Sequence, residues 1–185
     1  VSTTAAIVLQ AFDDFNSGGD ITRAGVVVAP VTEEAAKGLF ILLLLWFRRH
    51  ELDGILDGIV YAGIVGIGSA FTENILYLSS QYMGDPVAGG GLEGAVQLFI
   101  FRCIFSPFAH PMFTAFIGIG IGIAVGSRSL FVRILAPLAG YAVAVLLHGA
   151  WNANFMLADG SAAIGTFVVV MVPAFLMVLG FALWV

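Results

Sequence analysis

The chain has 185 residues, of which 60% are hydrophobic and only 10% are charged. Soluble domains usually carry about a quarter charged residues, so this composition predicts an integral membrane protein. The net charge of -5 and the scattered positions of the seven Lys and Arg residues exclude a basic nucleic-acid-binding surface. We therefore expect membrane lipid, and not nucleic acid, as a partner.

Long apolar runs recur along the whole chain, and a membrane-spanning helix needs about 20 such residues. Five runs reach that length: residues 24–46, 55–79, 104–126, 130–157 and 162–185. Residues 1–12 are too short to cross alone and predict either the end of a sixth helix or an interfacial segment. Residues 94–103 predict a short re-entrant or interfacial helix, with Pro107 and Pro111 as break points.

These elements predict the all-α fold class, a polytopic transmembrane helix bundle of five or six spans. No soluble segment interrupts it, so we expect one membrane-embedded domain over residues 1–185. The sequence starts without methionine and stops inside an apolar run, and we therefore expect flanking residues to be missing. Cytoplasmic loops carry the excess of Lys and Arg. Arg48, Arg49, Arg128 and Arg133 lie in two such loops, which places residues 80–92 on the outer side.

Four predicted spans carry polar side chains, which are costly in a bilayer and indicate a functional site. They are Glu33, Glu34 and Lys37 in the first span, Glu73 and Asn74 in the second, His110 and Thr114 in the third, and His148 and Asn152 in the fourth. At about 1.5 Å per residue, the glutamates and histidines lie roughly 9–15 Å below the outer ends of their spans. Because antiparallel helices place them at one level, we predict one shared site in the outer half of the membrane.

This set of side chains supports two hydrolytic chemistries. In the first, a carboxylate, Glu34 or Glu33, takes a proton from water. The histidines then position the water or the carbonyl, Asn152 stabilises the oxyanion, and Lys37 and Glu73 tune the charge of the site. In the second, the two histidines and one glutamate, Glu34 or Glu73, bind zinc and leave one position for water. No compact zinc motif is present, so the residues alone leave both open.

The polar segments follow one another in a recognisable order. They read EEAAK from Glu33 to Lys37, FTEN from Phe71 to Asn74, a histidine and hydroxyl pair from His110 to Thr114, and a histidine and amide pair from His148 to Asn152. Each segment alone is weak, but four in order, each within an apolar span, are specific. Together they resemble the PrsW family of intramembrane proteases, relatives of the CAAX prenyl proteases, over about residues 31–152.

The resemblance implies an intramembrane endopeptidase in a prokaryotic plasma membrane. It implies that single-span membrane proteins are cleaved near the extracytoplasmic side; an anti-sigma factor is the substrate associated with PrsW. Analogy with the CAAX enzymes favours glutamate-activated water without a cofactor over the zinc alternative. Two other function classes fit the polar residues less well. A proton-coupled transporter lacks its usual inverted repeats here, and a scaffold that only binds transmembrane segments would not need a general base.

Three further features have structural interpretations. Arg102 is predicted to anchor the chain at the outer interface, with contact to the substrate or to a carboxylate of the site as the less favoured alternative. Trp151 lies near the end of a span, where aromatic belts are common. Gly118, Gly122 and Gly126 repeat at intervals of four, which predicts a helix face packed closely against another helix.

Overall fold

The computed structural model describes residues 21–48, 50–86, 89–157 and 164–185, and within these ranges it contains helices and no strand. Helix α1 comprises Ile21–Arg23, a π-helical stretch Ala24–Val28 and Ala29–Phe47, and α2 is Ile55–Met83. Helix α3 comprises Gly91–Phe99 and π-helical Ile100–Phe105, α4 is Ala109–Gly126, α5 is Leu130–Leu157, and α6 is Ile164–Trp184 with a π-helical turn at Phe167–Met171. The predicted all-α polytopic bundle is confirmed.

Among the described residues, four helical segments are long and apolar enough to cross a membrane: Ile55–Met83, Gly91–Gly126, Leu130–Met156 and Ile164–Trp184. Helix α1 is also long, but Glu33, Glu34 and Lys37 lie in its middle and lower its mean hydropathy. Its role as a fifth span therefore depends on how the neighbouring helices enclose these charges. The predicted sixth span or interfacial segment at residues 1–12 lies outside the described residues.

The predicted third span is shorter than expected, because a turn at residues 106–108 separates α3 from α4. The Ser106 backbone N–H and side-chain hydroxyl both donate to the Phe101 carbonyl, at 2.9 and 2.8 Å. These bonds close α3 just before Pro107, which has no N–H to continue the helix. Pro111 does not break α4, since it lies in the first turn, where a backbone N–H has no partner within the helix.

Helices α3 and α4 pack in sequence along the antiparallel helix α2. Gly94 lies beside Gln81 near the start of α3, and Cys103 near its end accepts a hydrogen bond from Asn74 at 3.4 Å. Further along α2, Gly66 lies against Pro111 of α4. Helices α3 and α4 thus run in the same direction as two parts of one broken crossing, and α3 is not a re-entrant hairpin.

Helix α4 is the central helix of the bundle and has buried residues along its whole length. Its Gly118 lies against the backbone of Gly58 on α2, and Gly122 lies against Ile55 at the start of α2. The predicted close packing of this glycine face is confirmed at those two positions. Gly126 faces open space, since a Cβ there would meet nothing within 4 Å.

Candidate active site

The carboxylate of Glu34 is the centre of a buried polar cluster. The residue has no solvent-exposed surface, and side chains from three helices contact it. Lys37 Nζ donates to Oε1 at 2.8 Å, His148 Nδ1 lies 3.0 Å from the same oxygen, and Thr114 Oγ1 donates to Oε2 at 3.1 Å. Both carboxylate oxygens are therefore hydrogen-bonded, and Glu34 ties α1 to α4 and α5.

The ammonium of Lys37 extends the cluster toward α2. Lys37 is as fully buried as Glu34, and its Nζ lies 3.4 Å from His110 Nδ1. Because the ammonium can only donate, Nδ1 accepts and the ring proton of His110 lies on Nε2. That nitrogen is 3.3 Å from Oε2 of Glu73, a buried carboxylate that also accepts from Ser69 Oγ at 3.1 Å.

Glu33 and Glu34 are adjacent in sequence but have different surroundings. The side chain of Glu33 is 12% exposed, while that of Glu34 is fully enclosed. Glu33 lines a cavity of about 520 Å³, together with Glu73, both histidines and Asn152, whereas Glu34 does not line it. Successive helical residues are about 100° apart, so only one of a pair can face such a cavity. The structure thus distinguishes two carboxylates that the sequence treats as alternatives.

The imidazole of His148 connects the buried cluster to the cavity. Its Nδ1 faces the Glu34 carboxylate, which only accepts, so Nδ1 carries the ring proton and Nε2 is an acceptor. Nε2 lies 4.0 Å from Oε2 of Glu33. Phe113 stacks on the ring with centroids 5.2 Å apart and fixes its plane. An acceptor nitrogen and a carboxylate therefore lie side by side at the cavity wall.

Asn152, predicted as an oxyanion donor, lines the cavity and also has a structural contact. Its Nδ2 donates to the Gly25 carbonyl at 2.8 Å, within the π-helical stretch of α1. This bond uses one of the two amide protons and links α5 to α1. Gly149, one turn earlier, packs against the Val26 carbonyl and brings the two backbones together.

Arg102 is part of the site, and the structure shows the predicted alternative of contact with a site carboxylate in place of the favoured interfacial anchor. It lines the cavity, its Nε donates to Asn74 Oδ1 at 2.6 Å, and its Nη2 lies 3.4 Å from Glu73 Oε2. The guanidinium carbon is 4.4 Å from the centroid of the Tyr77 ring. The sequence contained a signal for this role, since Arg102 is the only Lys or Arg residue in the run from 94 to 126.

The prediction that Trp151 belongs to an aromatic belt at the membrane interface is also wrong. Its side chain is buried beside Phe101, with ring centroids 6.1 Å apart, and both rings line the cavity. Phe155 also lines the cavity and contacts Trp151, and Phe167 packs against Trp151 without lining the cavity. The π-helical end of α3 brings Phe101 and Arg102 to the cavity, and π-helical turns are frequent at functional sites.

Glu33, His110 and His148 are also a donor set for a metal ion, since one ligand atom of each lies within 4.8 Å of the others. A carboxylate with two imidazoles is a set that catalytic zinc uses, and Glu34 supplies the carboxylate that orients a zinc-bound histidine. The donor types therefore fit zinc. Their surroundings fit less well, because Lys37 and Glu73 contact the two nitrogens of His110. The sequence predicted Glu34 or Glu73 as the glutamate ligand of zinc, whereas in the structure Glu33 is grouped with the two histidines.

Comparison with known proteins places the chain in a family. The family model described as "PrsW family intramembrane metalloprotease" matches residues 1–178. The chain is 28% identical over 157 residues to Protease PrsW of Clostridioides difficile, which covers 81% of this chain and 59% of that protein. It is 30% identical over 118 residues to Protease PrsW of Oceanobacillus iheyensis, covering 61% of this chain and 46% of that one. The chain thus spans about half the length of these relatives. No solved structure matches it.

Proposed function

From membership of the PrsW family of intramembrane proteases, to which this chain belongs, we propose that it hydrolyses peptide bonds of membrane-anchored proteins inside the cavity beside Glu33. One observation carries the proposal. The Glu33 carboxylate and the acceptor nitrogen of His148 lie 4.0 Å apart on the wall of that cavity. A water molecule that donated to both would be held with its oxygen lone pair free for attack.

In the proposed reaction, Glu33 acts as the general base. It takes a proton from the water while the water oxygen bonds to the scissile carbonyl carbon. The carbonyl electron pair moves to its oxygen and forms a tetrahedral oxyanion. When this intermediate collapses, the C–N bond breaks and the leaving nitrogen receives the proton held by Glu33. A carboxyl group and an amine leave the cavity.

The buried residues position this base and its water. Glu34 fixes the proton of His148 on Nδ1 and so directs the lone pair of Nε2 toward the water. Lys37 balances the charge of both glutamates, at 2.8 Å from Glu34 and 3.7 Å from Glu33. His110 would keep the Glu73 carboxylate in position, since its two ring nitrogens contact Lys37 and Glu73.

The substrate and the location of the reaction extend the same proposal. A single-span protein fits a site that lies between helices in the membrane, and an anti-sigma factor is the predicted example. The arginines of the two loops support a site in the outer half of the membrane, and the family resemblance supports a prokaryotic plasma membrane. To test this orientation, a cysteine placed in residues 80–92 should react with an impermeant reagent from outside intact cells. If the cysteine reacted only after the cells were opened, the orientation of the protein in the membrane would be the reverse.

Zinc is the alternative source of the activated water, and the donor set of Glu33, His110 and His148 supports it. Bound there, zinc would lower the pKa of a coordinated water and polarise the carbonyl. We favour the reaction without metal, because His110 would have to exchange its contact with Lys37 or Glu73 for the ion. The description of the family as metalloproteases favours the metal, so the two mechanisms are tested together.

The experiment uses purified protein and a panel of single-span peptides, with mass spectrometry to detect cleavage. We expect cleavage by the wild type with and without chelator, and its loss in Glu33→Gln. Glu93→Gln removes an exposed carboxylate on α3 and should leave cleavage unchanged. Chelator-sensitive cleavage that zinc restores would establish the alternative. Binding of the peptides without any cleavage would contradict the protease and favour the scaffold.

A further inference from the structure

The proposed reaction needs a donor for the oxyanion, and Asn152 has one amide proton committed to the Gly25 carbonyl. Arg102 is a stronger donor in the same cavity. A guanidinium has five N–H groups, and the bonds to Asn74 and Glu73 use two of them. The side chain is 20% exposed, so it is accessible from the cavity but largely removed from solvent.

The guanidinium is held in a fixed orientation. Asn74 binds its Nε, Glu73 binds one terminal nitrogen, and the Tyr77 ring lies 4.4 Å from its central carbon. Contacts on an edge and on a face leave the planar group little freedom to rotate. Electrostatic stabilisation of a transition state depends on donors that are oriented before the reaction begins.

The location of Arg102 fits contact with the reacting carbonyl. Oxygen Oε2 of Glu73 lies 3.4 Å from Nη2 of Arg102 and 3.3 Å from Nε2 of His110, so the guanidinium lies directly beside His110. Arg102, His110, Phe101 and Trp151 line both the 520 Å³ cavity and a second cavity of about 190 Å³. They form the wall between the two. A peptide that extends from one cavity into the other would pass its backbone over this wall.

We propose that Arg102 donates to the scissile carbonyl oxygen and stabilises the oxyanion that forms there. This inference rests on the proposed hydrolysis. As the water oxygen bonds to carbon, the carbonyl electron pair moves to the oxygen beside the guanidinium, and it returns when the C–N bond breaks. Arg102 neither gives nor takes a proton. It acts by a charge-assisted hydrogen bond that strengthens as the negative charge develops.

The test compares wild type, Arg102→Gln and Arg102→Lys on the peptide that the wild type cleaves best. Loss of one oxyanion donor typically lowers kcat about 10²- to 10³-fold. We expect this loss in Arg102→Gln with KM changed by less than about threefold, because the bond is strong only in the transition state. Arg102→Lys keeps the charge without the planar fork and should retain an intermediate kcat. Arg128→Gln, in the loop between α4 and α5, is the matched control and should behave as wild type.

A second readout separates contact with the oxyanion from support of Glu73 and Asn74. The same peptide carries a phosphinate in place of the scissile amide, and its affinity is measured with chelator present, so that no metal contributes. Arg102→Gln should lose about 10²- to 10³-fold affinity for the phosphinate but bind the parent peptide normally. Equal losses for both ligands, or an unchanged kcat, would overturn the role of Arg102 and leave the proposed hydrolysis intact. No cleavage of any peptide by the wild type would overturn both.

Discussion

Helices α2 and α4 contact each other through different kinds of residues at the two ends of their interface. At one end, Gly58 and Gly118 bring the two backbones together beside a fully apolar cluster that includes Ala62 and Ile121. At the other end, Glu73 of α2 lies 3.3 Å from His110 of α4. The same pair of helices is thus held by close backbone packing alone in one half, whereas charged hydrogen bonds are added in the other.

This difference predicts different responses to substitution. Apolar contacts contribute many small terms, so a change there removes only part of the whole. A buried charge network responds differently, because the removal of one partner leaves the other charge buried and uncompensated. The polar half should therefore carry the largest single-residue effects on stability, and the glycine half smaller ones.

The largest stability effect is expected for Glu34→Gln. The amide keeps the shape of the side chain but leaves the fully buried Lys37 without its 2.8 Å carboxylate partner. Breaking a buried pair in this way typically costs about 3–5 kcal/mol. Thermal unfolding in detergent should show this loss. In the control, Glu34→Gln combined with Lys37→Met removes both charges and should recover part of the lost stability. If Glu34→Gln alone were as stable as the wild type, the buried charges would not carry the large stability effects expected of the polar half.

An intermediate effect is expected at the glycine contact. In Gly118→Ala the new methyl group would overlap the Gly58 carbonyl, which is backbone and cannot turn away. Forcing extra volume into such a contact costs about 1–3 kcal/mol. Gly126→Ala, two turns along the same helix, meets nothing within 4 Å and should be neutral or slightly stabilising. Equal unfolding temperatures for the two variants would mean that the close approach of α2 and α4 contributes no stability.

A smaller effect is expected for Thr114→Val. Valine fills the same volume, so the change removes only the hydroxyl that donates to Glu34 at 3.1 Å. The loss should be on the order of 1 kcal/mol, because Oε2 loses this neutral donor while Lys37 and His148 still bind Oε1. Thr72→Val is the control, since that hydroxyl is exposed and donates only to a carbonyl of its own helix. A loss in Thr114→Val no greater than in Thr72→Val would show that the hydroxyl adds nothing to the cluster.

Much of the fold could be predicted from the sequence, because hydrophobic run length determines where a helix can cross a bilayer. The predicted run 130–157 has the same limits as α5, and α2 extends only four residues beyond the predicted 55–79. No pattern in the sequence indicated the π-helical stretch Ala24–Val28, which Gly149 of α5 contacts at the Val26 carbonyl. Patterns along one helix do not contain that information.

The members of the site could be predicted individually, but their arrangement could not. Depth within each span indicated that Glu73 and His110 would meet, since groups at one level on adjacent helices are neighbours. Depth did not indicate which of Glu33 and Glu34 faces the cavity, because that depends on the rotation of α1 about its axis. For the same reason, Arg102 was predicted to point to the interface, whereas it turns inward to Glu73.

The central claim is that Glu33 performs the chemistry while Glu34 holds the site together. Single-turnover cleavage of one transmembrane peptide, with excess enzyme, tests it in wild type, Glu33→Gln and the doubly substituted Glu34→Gln with Lys37→Met. We expect Glu33→Gln to unfold at the wild-type temperature and to lose about 10²- to 10⁴-fold in rate. The double variant should keep a greater share of the rate, since its cavity still contains the base. A folded Glu33→Gln that cleaves at the wild-type rate would contradict the account.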